Sequence, residues 1–157
     1  LISVRQREIV ERYLAIARDS GLVVAAQGSI DGDAPPGGFY VRPTLLAPVT
    51  DTHTLAQEEI FGPVQVVIPF DDEADAIRIA NGTLYGLVAG VWTKDGSRAL
   101  RVARALKCGQ VFVNNYGAGG GIELPFGGVK SSGHGREKGF EALYGFSSLK
   151  TVAIHHG

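Results

Sequence analysis

Methionine is absent from all 157 residues, and the chain opens on Leu1 and Ile2. Translation cannot begin inside these residues as written, so the expectation is that a start has been removed or that this is a piece of something longer. Cysteine is scarce as well. Cys108 stands alone, which excludes an intramolecular disulfide and suits a reducing compartment. No apolar run approaches the roughly 20 residues that span a bilayer, and Arg5, Arg7 and Glu8 deny the first residues the shape of a signal peptide. The expected location is the cytoplasm, with no membrane partner. Charge of one sign is not in excess: 15 basic and 16 acidic residues leave a formal net charge of -1, which gives no footing for nucleic acid. What remains, 45% hydrophobic and 20% charged, is the ordinary range of a globular domain able to bury a core.

Glycine is what the chain has in surplus: 22 residues, about twice the usual share, with many gathered between Gly117 and Gly139. Before that region the periodicity is readable. Ile9, Val10, Tyr13, Leu14 and Ala17 fall on one helical stripe between Ser3 and Ser20, with Ser3 and Gln6 as a capping box and Gly21 as the stop. Leu22 to Ala26 reads as a strand and Gly32 to Gly38 as an exposed loop. Val41 to Val49 is extended but interrupted by Pro43 and Pro48, which suits an edge strand at best.

The most regular stretch follows. Val64 to Phe70 reads as a buried strand, Asp71 or Asp72 caps a helix through Ala80, and Asn81 and Gly82 close it. Val88 to Thr93 is then a strand, Ser97 to Lys107 a helix with Leu100, Ala103 and Leu106 inward, and Gln110 to Val113 a third strand. This alternation predicts an α/β fold, a parallel sheet in three layers with flanking helices and right-handed crossovers. Ligands of such sheets gather beyond the carboxyl ends of the strands, which draws attention to the loops after Phe70, Thr93 and Val113. Glu137 to Tyr144 predicts a short helix. Ser148 to His155 alternates as a final strand whose open edge needs a partner, which another subunit could supply.

Two glycine runs invite a phosphate-binding interpretation and fail its test. Gly117, Gly119, Gly120 and Gly121 lead to Ile122 and Pro125 rather than into a helix, and no glycine directly precedes Lys130 in Gly127-Gly128-Val129-Lys130-Ser131. Both are expected to be anchoring loops. Cys108 is expected to be a small buried hydrophobe, since nothing beside it in sequence would lower its pKa. His53, His134, His155 and His156 lack metal-ligand spacing, and no metal site is assigned. The run Gln57-Glu58-Glu59-Ile60-Phe61-Gly62-Pro63-Val64 carries more chemistry. A carboxylate before that stiff turn can accept from two vicinal hydroxyls of a sugar, and Phe61 can lie against a flat ring. A merely solvated acidic face explains Glu58 and Glu59 equally well on physics alone.

Taken together, Glu58-Glu59-Ile60-Phe61-Gly62-Pro63, then Asn114, then Pro125-Phe126-Gly127-Gly128-Val129-Lys130-Ser131-Ser132-Gly133 and Gly135-Arg136-Glu137 resemble the C-terminal part of the aldehyde dehydrogenase superfamily. The resemblance runs from the Ser3 helix to Lys150-Thr151-Val152. It implies residues 1–146 as the C-terminal part of a catalytic domain and 147–157 as an oligomerisation strand and tail of a homo-oligomer. It also implies that Glu59 holds the nicotinamide ribose hydroxyls of NAD or NADP and that Phe61 packs near the nicotinamide. The loop Asn115 to Leu124, with Asn115, Tyr116 and Gly117, would face a small-molecule aldehyde, and Phe126 would stand near its funnel. Arg136 and Glu137 match a buried pair in which the glutamate relays protons, and backbone carbonyls from Lys130 to Gly133 resemble a potassium site of some betaine-aldehyde members. Glu59, Phe61 and Phe126 are expected to serve one cavity.

In the mechanism so implied a thiolate forms a thiohemiacetal, hydride passes to nicotinamide, and water hydrolyses the thioester to the acid. The nucleophilic cysteine, the general-base glutamate, the oxyanion asparagine and the Rossmann-type domain that binds most of the cofactor all match positions upstream of Leu1. Cys108, lying between the two signatures, matches none of them. The isolated chain is therefore expected to be inactive. The rival expectation is a non-catalytic oligomerisation or partner-binding module derived from the family.

Overall fold

The structure, a computed structural model, describes residues 1–117 and 121–157. Ala118, Gly119 and Gly120, in the middle of the expected substrate loop, lie outside the described residues. The chain divides into two compact units, Leu1–Asp71 and Asp72–Gly157.

The first unit is built on α1 (Val4–Asp19), β1 (Val24–Gln27), β2 (Thr44–Leu46), α2 (Thr54–Gln57) and β3 (Val64–Val66). Ser3 caps α1 by accepting from the Gln6 amide at 3.2 Å. At the other end Gly21, at φ 69, closes a Schellman turn in which Leu22 N–H reaches Ala17 O and Gly21 N–H reaches Arg18 O, each at 2.9 Å. The stripe read from the sequence is the buried face: Val10, Tyr13 and Ala17 join Leu46, Val49, Leu55 and Ile60 in one core, with Ile9 and Leu14 packed beside them. Val10 and Leu46 are essentially sealed from solvent, and each contributes about 1.5–3 kcal/mol by leaving water.

The sheet corrects one expectation. Thr44–Leu46, expected at an edge, is the central strand, antiparallel to β1 and parallel to β3. The two prolines flank the paired residues instead of interrupting them, so no ladder donor is lost, and Thr44 N–H still reaches Pro63 O at 2.8 Å. β3 is shorter than expected and half-buried; Val67 and Phe70 beyond it are exposed.

The second unit holds α3 (Glu73–Asn81), β4 (Val88–Val91), α4 (Gly96–Ala105), β5 (Gln110–Val113) and α5 (Glu141–Gly145). Asp72 caps α3 and Asp95 caps α4 through their carboxylates. β4 and β5 pair in parallel from Val88 with Gln110 to Val91 with Val113, the crossover through α4 that the sequence predicts. β3 is not in this sheet, since its parallel partner is β2. The α/β class stands, with small parallel and mixed sheets. Within α4 the buried residue is Ala99; of the three expected inward, Ala103 and Leu106 are half-buried, but Leu100 is 60% exposed. Residues 147–157 form no strand. A strand requires a neighbour to complete its ladder, and Leu149, Val152 and Ile154 are instead exposed. Among the described residues no helix is long and apolar enough to cross a membrane.

Candidate functional site

The Glu58–Pro63 turn starts where α2 ends. Glu58 is its C-cap with extended backbone, φ -111 and ψ 149, and in an extended chain successive side chains leave on opposite sides. Glu58 is exposed, but its Oε2 is engaged, accepting from the Tyr13 hydroxyl at 2.7 Å. Glu59 turns outward, is exposed, and has no hydrogen-bond partner among the described residues. The two carboxylates that the sequence leaves equivalent are thereby separated: one is committed to the fold, and the other is available to a ligand.

Ile60 then buries into the core, and Phe61 emerges again, 72% exposed and at φ 55. That left-handed conformation is uncommon for a bulky side chain and costs on the order of 1 kcal/mol or more, so something must hold it. Gln6 does so. Its Nε2 donates to Ile60 O at 3.2 Å and to Phe61 O at 3.1 Å. Sequence reasoning gave Gln6 to a capping box, but its side chain is spent on this turn rather than on the helix end. Gly62 is required for contact: a Cβ there would lie 2.5 Å from Val10 Cγ2. Beside Gly62 and Pro63 opens a cleft of about 360 Å³ that Gly28, Thr44 and Gln65 also line; Glu59 and Phe61 do not line it.

The Tyr13–Glu58 bond has a pH signature. Donation to Glu58, and then burial, raise the Tyr13 pKa above its ordinary value of 10.0. The folded state therefore holds this proton more tightly than the unfolded chain. The bond's stabilisation is complete below pH 10 and is lost as pH rises through the raised value. Tyr13→Phe should cost about 1 kcal/mol at neutral pH, the lower end because Glu58 is exposed. Urea unfolding from pH 8 to 11 should show wild-type stability falling more steeply than that of the variant; parallel curves would remove the assignment.

In the second unit the carboxyl ends of β4 and β5 are tied by Asn114, at φ 50, whose amide donates to Thr93 O at 2.8 Å and whose Oδ1 accepts from Thr93 N–H at 2.9 Å. Asn115 and Tyr116 follow, both exposed, the Tyr116 ring 6.4 Å from that of Phe112; Gly117 is half-buried. Of the rest of the expected substrate loop, Ala118 to Gly120 lie outside the described residues, and Gly121 to Leu124 are exposed. Phe126 is half-buried, with Lys138 Nζ 5.5 Å from the centre of its ring. Its backbone exchanges hydrogen bonds of 2.7 and 2.8 Å with Glu137. The Glu137 side chain is exposed rather than buried, and the Arg136 guanidinium donates to the carbonyls of Gly128 and Gly135.

The Gly127–Ser132 run is an anchoring segment. Val129 N–H bonds Gly86 O, Ser131 N–H bonds Leu84 O, the Ser132 hydroxyl accepts from Gly86 N–H, and Lys130 Nζ reaches Asn81 O and Thr83 O. The Lys130 carbonyl accepts from Gly133 N–H at 3.3 Å. Cys108 is half-buried and its thiol donates to Gln110 O at 3.2 Å; burial, outweighing the Gln110 backbone and the Lys130 charge, pushes its pKa up, which disfavours a thiolate. Among the described residues no three of His, Cys, Asp and Glu gather as a metal-holding group, and His53 uses its Nδ1 to cap α2.

Known proteins resemble this chain along its length. The family model described as "Aldehyde dehydrogenase family" matches residues 1–152. A betaine aldehyde dehydrogenase of Rhizobium leguminosarum bv. trifolii is 44% identical over the whole chain, which covers 32% of that protein. The aldehyde dehydrogenase of Mycobacterium tuberculosis, solved with NAD+, superposes with a TM-score of 0.89 at 40% identity, covering all of this chain and 32% of its own. Betaine aldehyde dehydrogenase of Staphylococcus aureus, also solved with NAD+, gives 0.86 at 37% identity over 93% of this chain and 29% of its own. The chain thus spans about a third of the curated relatives it matches. It belongs to the aldehyde dehydrogenase family.

Proposed function

We infer that this chain is the cofactor-facing C-terminal part of an enzyme that oxidises an aldehyde to a carboxylic acid with NAD or NADP. The observation that carries this is the separation of Glu58, bound to Tyr13, from Glu59, which is exposed, without a partner among the described residues, and two residues before the outward ring of Phe61. A free carboxylate beside an exposed aromatic fits a sugar that carries a flat ring. Bound there, nicotinamide supplies the hydride acceptor. Glu59 accepts from the two ribose hydroxyls and Phe61 lies against the ring, so both orient without making or breaking bonds. Two relatives solved with NAD+ support the cofactor class.

Asn115, Tyr116, Gly117 and Phe126 are assigned to the aldehyde wall, and Glu137 to a proton relay whose backbone is locked to Phe126. Betaine aldehyde, after the rhizobial relatives, is the first substrate to assay. Cys108, protonated and engaged with Gln110, is not the nucleophile, which lies with most of the cofactor site on protein outside this chain. The single free thiol suits the cytoplasm. Residues 147–157, exposed throughout and carrying Leu149, Val152 and Ile154, add a strand to a second copy in a homo-oligomer. The pure 157-residue chain should give no NAD reduction with any aldehyde, and detectable turnover would overturn the division of roles.

The unpaired, apolar 147–157 segment also favours a second reading, a non-catalytic oligomerisation module. The coding sequence upstream of Leu1 separates the two. An in-frame cysteine and a glycine-rich Rossmann turn support the enzyme, whereas a start codon immediately before Leu1 favours the module.

A further inference from the structure

The outward pose of Glu59 and Phe61 is not a property of the turn alone. Gln6, Val10 and Tyr13 are spaced by four and three residues on α1, so they share one face of the helix. Each meets a different part of Glu58–Gly62. Tyr13 takes the Glu58 carboxylate at 2.7 Å, Val10 fills the space that a Cβ at Gly62 would need, and Gln6 holds the carbonyls of Ile60 and Phe61 at 3.2 and 3.1 Å. With Glu58 held by Tyr13 on an extended backbone, Glu59 leaves on the opposite side, away from that bond. With the Phe61 carbonyl held from below, its backbone stays at φ 55 and its ring stays out. Gln6 is half-buried, and among the described residues its amide is the one polar side chain on those two carbonyls.

We propose that Gln6 and Tyr13 are positioning residues for the cofactor contact, and that α1 sets the geometry of Glu59 and Phe61 without touching the ligand. This rests on the assignment of Glu59 to the nicotinamide ribose. Gln6→Met keeps the approximate size of the side chain and removes its amide, the donor to both carbonyls, and Tyr13→Phe removes only the hydroxyl. Both leave the Val10 packing in place. The local readout is the Phe61 Cα chemical shift, which reports φ and ψ and should move in Gln6→Met while the thermal unfolding curve stays cooperative.

The functional readout uses the full-length aldehyde-oxidising protein. Gln6→Met should weaken NAD+ binding and slow hydride transfer by about 3- to 10-fold, the size expected for one or two neutral hydrogen bonds, and leave the aldehyde KM unchanged. Tyr13→Phe should act in the same direction. In a Glu59→Gln background either change should add little, because what it positions is gone. If Glu59→Gln itself has no effect, the ribose assignment falls and this inference falls with it. If Glu59→Gln impairs the cofactor step but Gln6→Met adds to it in full, or raises the aldehyde KM instead, the positioning role is wrong while the ribose contact stands.

Discussion

Glu59→Gln in the full-length protein lowers kcat/KM for NAD+ by about 10- to 100-fold and leaves the aldehyde KM within about 2-fold. The magnitude follows from what the amide can still do. A carboxylate accepts from both vicinal hydroxyls with charge assistance, each such bond being worth about 1.5–3 kcal/mol when desolvated, whereas glutamine offers one neutral acceptor and places a donor against the second hydroxyl. The loss appears in the cofactor step because hydride transfer demands close alignment of donor and acceptor carbons, and a ribose that swings carries the nicotinamide with it. A deuterated aldehyde makes the test specific. If hydride transfer has become slower than product release, the primary isotope effect on kcat rises in the variant. The fold is not at issue, since Glu59 is exposed and bonds nothing among the described residues. Kinetics and isotope effect identical to wild type would leave Glu59 as a solvated carboxylate.

Local signals in the sequence placed much of the architecture because the physics behind them is local. The α1 stripe, its Ser3 cap and its Gly21 stop, the Asp72 cap of α3 and the whole extent of β5 depend on residues within a turn or two. The misreadings came where a distant partner decides. Thr44–Leu46 is central because β1 and β3 both pair with it, and no property of Pro43 or Pro48 announces that. Gln6 fits a capping box by spacing, yet its amide is claimed by carbonyls more than fifty residues away. Glu58 and Glu59 are indistinguishable until Tyr13 takes one of them. Ser148 to His155 has the apolar members Leu149, Val152 and Ile154 that suggest a strand, but such a pattern supplies no ladder, so within one chain these residues form none.

Gly109→Ala is expected to destabilise the second unit by about 3 kcal/mol or more, a fall in melting temperature of roughly 6–12 °C for a chain of this size. A Cβ at Gly109 would lie 1.7 Å from Gly127 O, 2.8 Å from Gly127 C and 3.2 Å from Leu87 O, and all three are backbone atoms. A side chain could rotate out of the way; these cannot without breaking what holds them. Gly109 N–H itself donates to the carbonyls of Gly86 and Leu87 at 3.1 Å, and Gln110 Nε2 holds Pro125 O at 2.9 Å, so both sides of the contact are pinned. Gly127 is pressed from its other side as well, since a Cβ there would meet Gly135 O at 2.6 Å. Gly127 is therefore explained by the Gly135 carbonyl and Gly128 by Ser132, whose Cβ and O a new Cβ would meet at 2.5 and 2.7 Å, and Phe126 moves with them if the approach to Gly109 is forced apart. Gly96→Ala is the matched control. It adds the same methyl to the start of α4 with nothing within 4 Å, and in a helix alanine is favoured over glycine by up to about 1 kcal/mol, so its melting temperature should hold or rise. The two variants differ only in what the methyl meets. If they melt together, backbone contact at Gly109 is not what fixes the Pro125–Gly128 segment against β5.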